Sequence, residues 1–70
     1  MNQVRKARKK LGITQEELSF RSGVPQSEIS RIERGLKKKI ELETGLSLSR
    51  ALGVPAEDLF PDYGLNKRIL

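Results

Sequence analysis

The stretch on which the fold turns is Ser22-Gly23-Val24-Pro25-Gln26-Ser27-Glu28-Ile29-Ser30-Arg31-Ile32-Glu33-Arg34-Gly35. Gly23 is a stop signal for the helix before it, and Pro25 sits where the next helix begins. So short a connection allows only a tight turn, and the two helices must cross at a steep angle, as in a helix-turn-helix unit. After the turn, residues 26–34 read as a short amphipathic helix. Ile29 and Ile32 lie within ~60° of each other and define its buried side. Gln26, Ser27, Ser30, Arg31 and Arg34 fill an outward arc of ~140°. Gly35 ends the helix, and Lys37-Lys38-Lys39 follows in a loop.

Upstream, Thr14-Gln15-Glu16-Glu17 reads as a Thr-x-x-Glu capping box with two acids in the first turn of the second helix. Leu18 and Ser22 share one face of that helix with Ser19 near them, and Phe20 projects away. A first helix over 2–11 places Val4, Ala7 and Leu11 within ~60°, with Arg8 only ~40° from Val4 at the edge of the apolar stripe. Gly12 is its expected C′ residue. Downstream, a fourth helix over 41–52 carries a broad apolar face of Leu42, Leu46, Leu48 and Leu52. Gly45 and Ser49 sit in the middle of that face, where they admit a close neighbour. Gly-Val-Pro occurs a second time at 53–55, and 56–60 reads as a short fifth helix ended by Pro61. The expected organisation is one domain over 1–61 and a short tail over 62–70, in which Leu65, Ile69 and Leu70 are apolar.

Composition narrows the class. A chain of 70 residues buries only ~60% of the surface its unfolded form exposes. With no cysteine and no histidine, neither a disulfide framework nor the usual zinc ligand set is available. The fold must rest on an apolar core, in which leucine and isoleucine favour helices packed on helices. No run approaches the ~18 apolar residues of a membrane span, and no apolar run follows the basic start to make a signal peptide. A cytoplasmic location is expected, with the nucleoid as the site of action when DNA is bound. Residues 1–39 hold eleven Lys/Arg against four Glu, a net of +7, whereas residues 40–70 have a net of −2. A basic half of this kind is a solvated face or a surface for nucleic acid or an anionic membrane.

Nothing in the sequence suggests catalysis, a cofactor, a metal site or a small-molecule ligand. There is no nucleophile–base pair and no Gly-rich phosphate loop, and the acids fall mostly at helix starts, where capping and the helix dipole explain them. The outward face of residues 26–34 is different. Gln can bond adenine through two atoms, Arg can bond guanine through its fork, and Ser is permissive. Flanking cations supply attraction to phosphates that is blind to sequence.

The runs 11–18 and 22–35, together with Leu42-Glu43-Thr44 and 50–54, resemble the Cro/XRE-type helix-turn-helix family of lambda-repressor-like DNA-binding domains. The resemblance covers residues 3–60. It implies a compact, all-α, five-helix fold with the reading unit formed by helices two and three. It also implies base reading by Gln26, Ser27 and Arg31, flanked by Ser30. Glu28 falls at the rim, where it would accept from a cytosine or repel wrong sequences. Phosphate contacts are implied for Thr14, Gln15, Arg34, Lys37 and Lys38, with the helix N-terminus assisting Gln15. Arg8 and Glu33 match a pair that links helix one to helix three, the alternative being two independent surface charges.

The chain departs from the family pattern at several places. Ser19 and Ser49 stand where Ala is common, and can be buried if they bond a backbone carbonyl. Pro25 and Pro55 take places where a Ser or Thr cap is frequent. Phe20 replaces a polar residue, either as a partner surface or as a tolerated exposed aromatic. The expected function is that of a transcriptional regulator, a repressor, bound as a homodimer to a palindromic double-stranded operator. The rival is an adaptor that binds another protein through the same fold. Single-stranded nucleic acid is disfavoured by the shortage of aromatics for stacking.

Overall fold

A computed structural model describes residues 2–62; the tail's Leu65, Ile69 and Leu70 lie outside them. The described residues form five helices and no strand: α1 Val4–Lys10, α2 Gln15–Ser22, α3 Gln26–Glu33, α4 Leu42–Leu52 and α5 Ala56–Leu59. α2 falls between its expected cap and stop, and the other four are shorter by a residue or more than the sequence pattern suggests, because the pattern counts the flanking caps. The order and the stops agree with it. Gly12, Gly23, Gly35 and Gly53 all have positive φ, and no other residue among those described does. Gly23 and Gly53 themselves cap α2 and α4 in the left-handed conformation, with φ of 80° and 71°. A side chain would be strained there.

The core is one cluster. Val4, Leu18, Ile29, Ile32, Leu48 and Leu59 are 0% exposed and Phe60 is 1% exposed. Fully burying each such side chain is worth ~1.5–3 kcal/mol. Four core members come from outside the helices: Ile13 from the α1–α2 turn, Val24 from the α2–α3 turn, Ile40 from the α3–α4 loop and Phe60 from the end of α5. They take places that helical periodicity assigns elsewhere. Leu11 is 49% exposed, because α1 stops at Lys10 and Leu11 caps it outside the apolar stripe. The broad face of α4 is likewise split. Gly45, Leu48 and Leu52 face the core, whereas Leu42 and Leu46 are 44% and 39% exposed.

The two Gly-Val-Pro phrases build the same turn twice. Ser19 Oγ donates to the Val24 carbonyl and Ser49 Oγ to the Val54 carbonyl, both at 2.6 Å. Gly23 N–H returns to Ser19 O and Gly53 N–H to Ser49 O, both at 2.8 Å. Pro25 and Pro55 then open α3 and α5 with nearly identical backbone angles (φ −55° and −56°) and no side-chain cap. The serine hydroxyls, half-buried in place of alanine, are therefore satisfied.

Candidate nucleic-acid interface

The α2–α3 turn fixes the presentation of α3. Besides the Ser19 bond, Ser22 Oγ accepts from Val24 N–H at 3.1 Å, and the Pro25 carbonyl accepts from Ile29 N–H at 3.0 Å. Val24, 6% exposed, plugs the core beneath the turn. Ile29 and Ile32 anchor the inner face of α3, which leaves Gln26, Ser27 and Arg31 exposed on its outer face. Ser30 is half-buried beside them. Arg34 is exposed and caps the helix rather than belonging to it.

Glu28 is half-buried and is not a bare charge. Its Oε2 accepts from Lys37 Nζ at 3.3 Å, so a residue of the lysine loop leans back on α3. Lys38 and Lys39 are exposed. At the other end, Thr14 Oγ1 accepts from Glu17 N–H at 3.0 Å and caps α2. The capping box is not reciprocal: the Glu17 carboxylate is taken by Arg21 at 3.0 Å, one helical turn on. Between α1, the start of α2 and the start of α3 lies an open cleft bordered by Lys9, Thr14, Gln15 and Gln26.

Behind that cleft a polar network joins α1, α2 and α3. Arg8 grips Glu33 with Nε at 2.7 Å from Oε2 and Nη2 at 3.0 Å from Oε1, and Nη1 donates to the Ile13 carbonyl at 2.8 Å. Gln15 Nε2 donates to Glu33 Oε1 at 3.1 Å. One of the two N–H groups of this Gln amide is thus committed to the interior. Burial by itself would raise the Glu33 carboxyl. The hydrogen bonds from Arg8 and Gln15, with the charges of Arg8 and Arg5, outweigh it and hold Glu33 below its ordinary value. The Arg8 guanidinium is raised, chiefly by its hydrogen bond to Glu33.

Several contacts have no counterpart in the sequence pattern, among them Glu28–Lys37, Gln15–Glu33 and those of Asn2. Asn2 Nδ2 donates to the Ile32 carbonyl at 2.7 Å, while Asn2 Oδ1 accepts from Val4 N–H at 3.1 Å. It satisfies the first N–H of α1, one residue ahead of the Gln3 cap, and ties that end to the last turn of α3.

A tight turn between two short helices, the second with a polar outer face and cations at and after its C-terminal end, defines a helix-turn-helix unit. A helix-turn-helix family model matches residues 4–59, and the chain belongs to that family, of the Cro/XRE type with a lambda-repressor-like fold. Membership makes it a DNA-binding domain of transcription regulation acting on double-stranded DNA, in a family that is not typically enzymatic. No curated protein and no solved structure matches the chain. Among the described residues no helix is long and apolar enough to cross a membrane, and no three His, Cys, Asp or Glu residues are grouped to hold a metal ion.

Proposed function

We propose that the chain is a sequence-specific repressor that lays α3 in the major groove of its operator. The observation that carries this reading is the exposed trio Gln26, Ser27 and Arg31, on a helix whose inner face is fully buried. The groove is ~12 Å wide and admits one α-helix, and these side chains suit base edges there. Ser30 and Glu28 border the trio. Thr14, Gln15, Arg34, Lys37 and Lys38 flank it and are assigned to phosphates, with Lys37 also neutralising Glu28. Occupation of duplex DNA excludes other proteins from the same site, which is all that repression requires of this face.

One α3 spans too few base pairs to select a site in a genome. We therefore assign a homodimer whose two-fold axis matches a palindromic operator, with half-sites about 34 Å apart. Selection from a random duplex pool tests the whole reading. An enriched palindrome supports it. Enrichment of nothing would move the assignment to a protein-binding adaptor.

A further inference from the structure

Helix α4 has an outer stripe that the described residues leave uncovered. Taking 100° per residue, Leu42, Leu46, Arg50 and Glu43 fall within an arc of ~100°, on the side away from Gly45, Leu48 and Leu52. All four are exposed. Among the described residues neither Glu43 nor Arg50 has an ion-pair partner. One acid and one base thus stand seven residues apart on one face, with a leucine between them. Their midpoint lies between Leu46 and Ser47.

That spacing is self-complementary. A two-fold axis through the midpoint, perpendicular to α4, sets a second α4 antiparallel to the first. Glu43 then faces Arg50 of the second copy, Arg50 faces its Glu43, and the two Leu46 side chains meet at the axis. Leu42 covers the apolar stem of the opposing arginine. The contact is isologous, as a closed dimer requires.

We propose that this α4 stripe is the surface through which two copies of the chain pair, a reading that rests on the homodimer assigned above. Four side chains are far fewer than the ~20–30 residues a side of a standard interface. The pairing is therefore weak for the free protein and is completed when two copies sit on one duplex.

The test uses the full chain and the duplex enriched from the random pool, with copies per duplex counted by mobility shift and sedimentation. Glu43→Arg and Arg50→Glu each turn two attractive contacts into two repulsive ones. Each should weaken formation of the two-copy complex by at least about tenfold. An equimolar mixture of the two variants should restore it, because every contact between unlike copies is again opposite in charge. Both positions are exposed, so the fold should be retained by circular dichroism, with melting slightly below wild type because each variant reverses a charge that favours the α4 dipole. If wild type binds as two copies and the mixture does no better than either variant, the dimer uses another surface: the proposal falls and the homodimer stands. Wild type bound only as a single copy would overturn both.

Discussion

Arg8 and Glu33, 25 residues apart in sequence, meet as a two-pronged ion pair with side chains only 11% and 3% exposed. The planar guanidinium matches both carboxylate oxygens, and the remaining prong is satisfied by the Ile13 carbonyl. This pair fixes the last turn of α3 against α1. An intact buried pair contributes little beyond what apolar packing would, whereas half a pair is costly because a charge is left in the interior.

Glu33→Ala should therefore destabilise the domain by ~3–5 kcal/mol, a large part of what a small domain has. Thermal or urea unfolding measures it. Arg8→Met in the Glu33→Met background should recover much of the loss, since both charges are then gone. A melting temperature for Glu33→Ala within a degree or two of wild type would show that the pair bears no structural load.

The same pair sets an acid limit. Because native Glu33 holds its proton less tightly than unfolded Glu33, its contribution is complete above the ordinary glutamate value of ~4.3 and is lost as pH falls through the depressed native value. Arg8, raised rather than lowered, stays charged throughout that range. Stability measured from pH 7 down to 2 should fall more steeply for wild type than for Glu33→Gln. Parallel curves would contradict the assignment.

The paired turns make a matched comparison. Ser19→Ala and Ser49→Ala each remove a 2.6 Å hydrogen bond and leave a valine carbonyl without that donor. Each should cost ~1 kcal/mol by chemical denaturation. Only Ser19→Ala should also weaken DNA binding, because only the first turn aims α3. Equal effects on binding would mean that turn rigidity does not govern the reading helix.

The parts of the fold legible in the sequence are those with local causes. Gly23 and Pro25 punctuate the turn, and the spacing of Ile29 and Ile32 gives α3 its inner face, so the outer face follows by subtraction. Arg8 was legible from its place at the edge of an apolar stripe. What periodicity could not supply was which leucines win the core. Ile13, Ile40 and Phe60 enter from turns and caps, where no repeat marks them, and they displace Leu11, Leu42 and Leu46. The bonds from Asn2, Gln15 and Lys37 were hidden for a related reason. Each reaches a partner on another element, and the distance between elements is set by the packed core.

In the proposed complex α3 reads bases while the loop after it grips phosphate. Arg31→Ala and Lys38→Ala separate the two roles when measured on the enriched duplex and a scrambled one across a salt series. Arg31→Ala should lose ~1–3 kcal/mol on the enriched duplex and relax preference at one base position. Lys38→Ala should weaken both duplexes alike and reduce the salt slope by about one unit. If Arg31→Ala instead weakens both duplexes equally and Lys38→Ala alters base preference, α3 is not the reading helix and the docking proposed here is contradicted.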